Sequence, residues 1–541
     1  MREFLFYIFL LVHIISLSQN KSYTREDSIK GRNSIERSWW DATHYEIHAT
    51  FNPKDSSVSG FNIITARVLY DYNIMQIDLQ EPMQIDSIFA GEVKTEFRKS
   101  KDFYFIKFLP YQDRGVTHQL KVFFHGKPKT AKMPPWDGGL VWRKDKDKNP
   151  WISIACQGMA GSVWFPCKDH MSDEPDSVSF YITASEDLVC VSNGRLRSVS
   201  NNDNKTKTWN WAVRNPINNY NIIPYIGKYV CFTDTFNGED GQLDLSYWVL
   251  DYNLEKAKEQ FKQVKSMLRC FEYWFGPYPF YEDGYKLVES PYLGMEHQSA
   301  VAYGNGYING YMGRDLSGSG WGMKWDFIIV HESGHEWYGN NISAKDVADN
   351  WVHEGFTCYS EALYTEYLFG KAAGQEYVIG LRKNISNNTP VIGDYEVNKD
   401  GSHDMYYKGA NMLHTIRQIV KNDSLWREMF REMNRVYGKQ TVTTKEIEEF
   451  MSRFLNKDLS KIFDQYLRSN KIPVLEYSIS KKKLKYRWVN CVNGFDMPVE
   501  LWDNKNGTYR ITPLTEIQEQ KINSSKVTLN INYYVNSNSQ K

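Results

Sequence analysis

The sequence predicts a multidomain α+β protein, in which strand-rich segments precede and follow a mainly helical one. Three observations indicate this class. Of the 541 residues, 41% are hydrophobic and 15% are aromatic, which is enough to form buried cores. Strand-like runs occupy residues 22–236, helical periodicity begins at Asn253, and strand-like runs return after Ile472–Pro473. The length suggests about three or four domains.

The charge balance argues against one broad class of partner. Lys+Arg and Asp+Glu both total 65, so the formal net charge is zero. Without a basic field, nothing favours nucleic acid as a ligand. The seven cysteines are scattered and show no C-x-x-C spacing, so they indicate neither a cysteine zinc site nor a disulfide framework.

The first residues are typical of an export signal. In "MREFLFYIFLLVHIISLSQN", one Arg is followed by an apolar run from Phe4 to Leu17 and then by small residues. We interpret residues 1–18 as a signal peptide cut near Ser18, with an uncleaved membrane anchor as the alternative. The mature protein is then expected in the periplasm or outside the cell, with no further membrane span.

Three regions follow the signal peptide. Residues 22–236 are predicted to form an N-terminal β domain, because runs such as "HYEIHATF" alternate and turn residues separate them. Residues 237–471 carry the helical periodicity. Residues 472–541 are predicted to form a small C-terminal β domain, in which "VELWDNKNGTYRIT" indicates a hairpin around Asn506–Gly507.

Two features of the helical region locate helix ends. Apolar residues at helical spacing predict a helix up to Phe275, and Gly276 is expected to end it. Thr443 and Glu446 have the spacing of a capping box, which predicts that a helix begins there.

The stretch "VHESGHEWYGN" suggests a metal site. The preceding "WDFIIV" is apolar, and the segment Asp326–Tyr338 is predicted to be helical. Residues four apart share a helix face, so His331 and His335 can reach one ion. Glu332 can then serve as the general base toward a water that the metal activates. The alternative is a buried helix whose histidines bond to backbone or water.

A zinc ion of this kind normally takes a third protein ligand. The segment Asp349–Gly370 is also predicted to be helical, and Glu354 near its start is the best candidate. His353 competes for this role but lies one step round the helix. Glu361 is on the same face as Glu354, from which it can hydrogen-bond a ligand histidine.

Four motifs occur in a diagnostic order. H-E-x-x-H is followed after eighteen residues by Glu354, "PYLGMEHQ" precedes it, and "YYKGANML" comes after it. In the first region stands "ACQGMAGSVWFPCKD". This set resembles the zinc aminopeptidase family of gluzincin metallopeptidases, which includes aminopeptidase N and leukotriene hydrolase. The resemblance covers essentially the whole mature chain.

The resemblance implies a particular architecture and a particular chemistry. The N-terminal domain would be β-sandwich-like, the catalytic domain thermolysin-like and the C-terminal domain a small β-sandwich, in a short form without the family's C-terminal helical domain. One zinc ion would be the cofactor. The implied metal ligands are His331, His335 and Glu354. The implied catalytic residues are Glu332 as general base and Tyr406, not Tyr407, as the group that stabilises the oxyanion.

The resemblance also implies that the substrates are peptides with a free N-terminus. Glu296 would bind the α-amino group, with Gln157 as a neutral hydrogen-bond partner. Tyr292 falls where the family lines its first specificity pocket. Gly294 and Met295 complete the exopeptidase motif.

Three positions depart from the family pattern. His297 stands where Asn is usual, and Leu293 where Gly or Ala is usual. A histidine beside Glu296 is expected to add a titrating group whose protonation would repel an ammonium. His353 stands where Asn is common, and we expect it to be structural or to orient a ligand rather than to be a fourth ligand.

Two rival functions stay open. A zinc endopeptidase would share the catalytic helix but would not need Glu296. A non-catalytic peptide-binding or interaction scaffold would be expected to lack a ligand or the base, and all of them are present. The sequence leaves the oligomeric state and the preferred N-terminal side chain open.

Overall fold

The computed structural model describes residues 23–156, 158, 160–503 and 507–539. The predicted signal peptide, residues 1–18, lies outside the described residues. Two short helices, α1 (Arg25–Gly31) and α2 (Ile35–Ser38), precede the first strand.

The N-terminal region is built of strands in three sheets. Its strands are Trp40–Asn52 (β1), Ser57–Val68 (β2), Tyr72–Asp78 (β3), Gln84–Ala90 (β4), Val93–Thr95 (β5), Phe97–Ser100 (β6), Phe103–Gln112 (β7), Thr117–Gly126 (β8), Gly139–Lys144 (β9), Pro150–Ala155 (β10), Ser177–Ser185 (β11), Val189–Ser192 (β12), Arg195–Asn202 (β13), Thr206–Val213 (β14) and Pro224–Gly227 (β15). The largest sheet has the order β13-β14-β11-β1-β2-β8-β4-β5, and the others are β12-β15-β10-β9 and β3-β7-β6. The three sheets share one hydrophobic core, to which the alternating buried residues of β1 and β11 contribute.

A fourth sheet, with both parallel and antiparallel strands, begins the central region. It contains Tyr229–Gly238 (β16), Gly241–Leu250 (β17), Tyr285–Glu289 (β18), Gly294–Met295 (β19) and Val301–Tyr303 (β20), in the order β16-β17-β18-β20-β19. Because β16 pairs along its length with β17, this sheet already begins at Tyr229, upstream of the boundary that the sequence suggests at residue 236. The short strand β19 lies at the edge of the sheet and carries the Gly-Met of the exopeptidase motif.

Helices make up most of the central region. They are Leu254–Gln260 (α3), Gln263–Phe275 (α4), Phe327–Gly334 (α5), Trp351–Phe369 (α6), Lys371–Gly380 (α7), Tyr407–Val420 (α8), Asp423–Tyr437 (α9), Thr444–Phe454 (α10) and Ser460–Leu467 (α11). A two-stranded parallel sheet joins Ile342–Ala344 (β21) to Gln440–Val442 (β22). The molecule is thus mixed α+β, as predicted.

The predicted helix ends are confirmed. Gly276 ends α4 with a φ of 96°, and Gly370 ends α6 with a φ of 90°, a conformation that favours glycine. The capping box of Thr443 and Glu446 begins α10, with both reciprocal hydrogen bonds formed.

The C-terminal strands form two further sheets. They are Val474–Ser480 (β23), Lys483–Val489 (β24), Val499–Asp503 (β25), Gly507–Ile511 (β26), Gln518–Lys521 (β27), Thr528–Leu529 (β28) and Asn536–Ser539 (β29). The sheet orders are β27-β24-β23-β29 and β26-β25-β28. β25 and β26 pair as the predicted hairpin, although Asn506 at its turn lies outside the described residues. These strands share their hydrophobic core with the helical region.

Among the helices of the described part of the chain, none combines the length and the apolar character that a membrane crossing needs.

Candidate active site

Two buried helices position the candidate metal ligands. Asp326 begins α5 by accepting hydrogen bonds from the backbone N–H groups of Ile328 and Ile329. The helix is shorter than the predicted Asp326–Tyr338, because it ends at Gly334 and the chain continues in turns. His335 at its C-cap nevertheless keeps helical backbone angles, so its side chain follows that of His331 around the same face.

The three predicted ligands converge on one point. Oε2 of Glu354, on α6, lies 3.6 Å from Nε2 of His331 and 3.4 Å from Nε2 of His335. These separations are too long for good hydrogen bonds, and this buried oxygen has no hydrogen-bond partner among the described residues. Ligand atoms about 2.0–2.1 Å from a tetrahedral zinc would lie about 3.3–3.4 Å apart. The donor set and its spacing therefore fit a zinc ion.

The other nitrogen of each histidine is held by an acceptor. Nδ1 of His331 lies 2.6 Å from Oε1 of Glu361, whose second oxygen accepts a 2.6 Å hydrogen bond from the Tyr377 hydroxyl. Nδ1 of His335 lies 3.0 Å from the carbonyl oxygen of Tyr338. These acceptors hold the proton on Nδ1, so Nε2, which faces the Glu354 oxygen, is the nitrogen that a metal ion would bind in place of a proton.

Among the candidate ligands, the Glu354 carboxylate and the two imidazoles have opposite charges, and each shifts the pKa of the other toward its charged form. Burial alone would lower the pKa of His335, but the Glu354 carboxylate raises it to about 9. Burial alone would raise the pKa of Glu354, but the two imidazoles hold that pKa below its usual range. The glutamate is therefore ionised and available to a cation.

Glu332 lies directly against the exopeptidase motif. A Cβ atom on Gly294 would stand 2.7 Å from Oε1 of Glu332, so only glycine allows the carboxylate to occupy this place. Burial, followed by the charges of Glu296 and Glu354, raises the pKa of Glu332 to about 7 against the opposing effect of the histidines. A carboxylate with such a pKa is suited to take up a proton near neutral pH.

Tyr406, at the start of α8, faces the candidate ligand His331. Its ring stacks on that of His331, with the centroids 6.2 Å apart and the planes inclined by 21°. Burial, followed by the charge of Glu354, holds the pKa of its phenol well above the usual value. The hydroxyl therefore keeps its proton and can donate a hydrogen bond.

Glu296, the predicted amine-binding carboxylate, lies close to Glu332 and to the candidate ligand His335. Glu296 is 8% exposed, and one of its carboxylate oxygens lies within 4.8 Å of ligand atoms of Glu332 and His335. Asn340 donates a 2.8 Å hydrogen bond to the backbone oxygen of Glu296. Gln157 lies outside the described residues.

Tyr292, just before the exopeptidase motif, is hydrogen-bonded to the N-terminal region. Its hydroxyl donates a 2.7 Å hydrogen bond to the carbonyl oxygen of Ile154 on β10 and lies 3.2 Å from the Ser153 hydroxyl. Its position is therefore fixed by the N-terminal region. Leu293 and Met295 beside it are buried.

Two histidines near the site are not available to substrate or metal. His297 is fully buried, its Nδ1 lies 2.7 Å from the Tyr225 hydroxyl, and burial lowers its pKa to about 3. The expectation that it titrates beside the amine site is therefore wrong. Nε2 of His353 accepts a 2.7 Å hydrogen bond from the backbone N–H of Ala344, and burial lowers the pKa of His353 to about 4. His353 is structural and is not a fourth ligand.

A cavity of about 110 Å³ opens beside the metal ligands, between the N-terminal and central regions. Glu296, Glu354 and Met295 line one part of it, and Tyr220 reaches it from the N-terminal region. Tyr220 belongs to the short 3₁₀ turn Asn219–Asn221. Sequence reasoning missed it, since "NNYN" matches no motif and only the fold brings this turn to the site.

Asparagines from the same turn tie the two regions together. Asn218 donates a 3.1 Å hydrogen bond to the carbonyl of Gly339, four residues after the candidate ligand His335. Asn221 donates a 2.5 Å hydrogen bond to Asn340, which in turn bonds to the backbone of Glu296. No sequence motif indicates this buried chain of amides, which fixes the backbone of Glu296 relative to the segment that follows His335.

The chain is similar in sequence to known peptidases. Residues 252–466 match the model of the Peptidase family M1 domain. Leukotriene A-4 hydrolase from Xenopus laevis is 22% identical over 61% of this chain and 54% of its own length. Aminopeptidase B from Rattus norvegicus is 26% identical over 70% and 56%, and probable aminopeptidase 2 from Sulfurisphaera tokodaii is 21% identical over 74% and 50%. The chain thus spans about half the length of the curated relatives it matches.

Solved structures show the same fold. The M1 zinc metallopeptidase of Deinococcus radiodurans superposes with a TM-score of 0.68 at 18% identity, covering 80% of this chain and 94% of that one. A mutant of that enzyme bound to a Tyr-Ser-Ala substrate gives a TM-score of 0.67 at 18% identity, over 81% and 96%.

Proposed function

We propose that this chain, whose residues 252–466 match the Peptidase family M1 domain, is a zinc-dependent aminopeptidase that removes N-terminal residues from peptides. The observation that carries the proposal is a pair of adjacent sites. One is the converging set of His331, His335 and Glu354 with an unpartnered buried carboxylate oxygen. The other is the buried carboxylate of Glu296 within 4.8 Å of His335.

The metal would be a single zinc ion. Two imidazole nitrogens and one carboxylate oxygen are a ligand set that suits zinc and leaves a position open for catalysis. The other acidic cluster, Glu296 with Glu332, shares His335 with the first, so the two do not hold separate ions. When bound, zinc would polarise the scissile carbonyl and make an attacking water more acidic.

The chain's own residues supply the remaining parts of the reaction. Glu332 takes the proton of the attacking water and can pass it to the leaving amine, which its raised pKa favours. Tyr406 donates a hydrogen bond to the oxygen that becomes negative in the transition state. Neither task depends on the substrate having a free N-terminus.

Glu296 would make the enzyme an exopeptidase. An α-ammonium paired with this carboxylate has its own carbonyl group two bonds away, so the pairing fixes which peptide bond reaches Glu332. An internal segment of a peptide offers no charge at this point and leaves Glu296 buried and unpaired, which is costly. This step separates an aminopeptidase from an endopeptidase with the same metal helix.

The test is hydrolysis of a panel of aminoacyl chromogenic amides, each with a free or an acetylated amine, by the zinc-loaded protein. We expect turnover of the free forms only, its loss with a chelator, and its return when zinc is added. Equal cleavage of acetylated forms would indicate an endopeptidase. Zinc binding without any turnover would indicate a scaffold.

We also propose that the enzyme acts outside the cytoplasm, in the periplasm or beyond. Support comes from the N-terminal sequence alone, with its apolar run from Phe4 to Leu17. Amino-terminal sequencing of the exported protein would show whether cleavage occurs near Ser18.

A further inference from the structure

We propose that Tyr220 is a further substrate-binding residue, whose phenol hydroxyl holds the substrate's α-ammonium together with Glu296. The inference rests on the proposed aminopeptidase function and assigns a second group to the amine-binding site. It also gives the N-terminal β region a direct part in selecting the free amino terminus.

The position of Tyr220 is the first support. Its side chain lines the cavity that Glu296, Met295 and Glu354 also line. Its hydroxyl oxygen is buried, lies within hydrogen-bonding reach of the Glu296 carboxylate, and makes no other hydrogen bond to a described residue. Buried hydroxyls usually use their acceptor capacity as well as their proton, so an ammonium that pairs with Glu296 is expected to donate to this oxygen.

The surrounding charges are the second support. Burial raises the pKa of the Tyr220 phenol, and the charge of Glu296, a hydrogen bond to the same carboxylate and then the charge of Glu354 raise it further. The hydroxyl therefore lies close to both carboxylates and keeps its proton. It can donate that proton to a carboxylate while its oxygen accepts a hydrogen bond from an ammonium.

The rigidity of the turn is the third support. Besides the bonds of Asn218 and Asn221 across the domain boundary, Asn219 donates to the carbonyls of Lys168 and Asp173, at 2.8 and 3.2 Å. Every neighbour of Tyr220 in the turn is thus anchored by a buried side-chain bond. The backbone that carries Tyr220 is therefore fixed before the substrate arrives, which lowers the cost of binding.

The chemistry of the ligand completes the argument. A primary ammonium has three N–H donors and so needs more than one acceptor when it is buried. The Glu296 carboxylate alone serves it from one direction, whereas Tyr220 approaches from the opposite domain. A ligand that lacks the amine would form no hydrogen bond with the Tyr220 hydroxyl, so its affinity would not depend on that hydroxyl.

The test compares two inhibitors on Tyr220→Phe, which removes the hydroxyl and keeps the ring. Leucine hydroxamate carries the amine, and isocaproyl hydroxamate is the same molecule without it. Calorimetry on the zinc-loaded protein measures the affinity of both. We expect Tyr220→Phe to weaken leucine hydroxamate about tenfold or more and to leave isocaproyl hydroxamate within about twofold.

The control is Tyr437→Phe, whose hydroxyl bonds to the backbone oxygen of Glu446 and does not line the cavity, and which should leave both affinities unchanged. Equal weakening of both inhibitors by Tyr220→Phe would show a merely structural role and overturn the proposal. So would an unchanged preference for the amine. If the wild type neither prefers the amine nor hydrolyses free-amine amides, the proposed function itself fails, and this inference fails with it.

Discussion

The proposed metal-binding half and the proposed amine-binding half of the site are built in different ways. The candidate metal ligands and Glu361 come from α5 with its C-cap residue and from the adjacent α6, inside one hydrophobic core. The amine-binding half combines the edge strand β19, the residue after it, Glu296, and a turn from the N-terminal β region. It therefore exists only where the two regions meet.

This difference separates two functions. The groups that would hydrolyse a peptide bond belong to the central region alone. The groups that would choose the terminal bond depend on how the N-terminal region docks, through Asn218, Asn221 and Asn340. A change in one half should thus leave the task of the other half largely intact, and the predictions below test that separation.

The largest effect is expected for Glu332→Gln. The amide keeps the shape of the side chain but cannot take a proton, so turnover should fall by about a thousandfold or more. Zinc content and thermal stability should stay at wild-type values, because Glu332 is not among the three ligands. Assays of turnover and metal content, with the exposed Glu259→Gln as control, check this. Turnover within tenfold of wild type would contradict the assigned role.

Gly294→Ala tests the contact between Gly294 of the exopeptidase motif and the Glu332 carboxylate, where the two halves of the site meet. The added Cβ would lie 2.7 Å from Oε1 of Glu332 and 2.9 Å from Cγ2 of Ile328, so the carboxylate must shift. A displacement of about 1 Å can cost about a hundredfold in rate, and we expect a loss of about ten- to a hundredfold in kcat. Zinc affinity should not change. Wild-type kcat in this variant would show that the carboxylate does not work from its observed position.

Glu361→Gln tests whether Glu361 strengthens zinc binding through its hydrogen bond with His331. The variant replaces the charged acceptor of the His331 ring with a neutral one, which should weaken zinc binding by about tenfold or more. Competition with a chelator of known affinity measures this. Tyr377→Phe, which removes only the hydrogen bond to Glu361, should have a smaller effect. Zinc affinity that responds to neither change would remove Glu361 from the metal site.

The two halves also differ in how far the sequence predicts them. His331, His335 and Glu354 stand at spacings that helix geometry converts directly into a common face. The spacing does not show that α5 ends at Gly334, because the turn that follows is set by tertiary contacts. Helix and strand patterns likewise predict the order of the regions, but not that β16 joins the central sheet.

Sequence patterns predict much less of the amine-binding half. Glu296 emerges only by family resemblance, since an isolated carboxylate has no distinguishing spacing. Tyr220 and the amide chain have no signal, because their partners lie across a domain boundary. The burial of His297, which keeps it neutral, depends in the same way on packing against Tyr225. Local periodicity carries no information about such contacts.

The most direct test of this division of tasks is one ratio, measured for the wild type and for Glu296→Ala. It is kcat/KM for a free-amine amide divided by kcat/KM for its acetylated form, with zinc content checked in both proteins. We predict that the ratio falls by about a hundredfold or more in Glu296→Ala, while zinc content is unchanged. A ratio that stays the same would contradict the account, because the amine would then be recognised elsewhere.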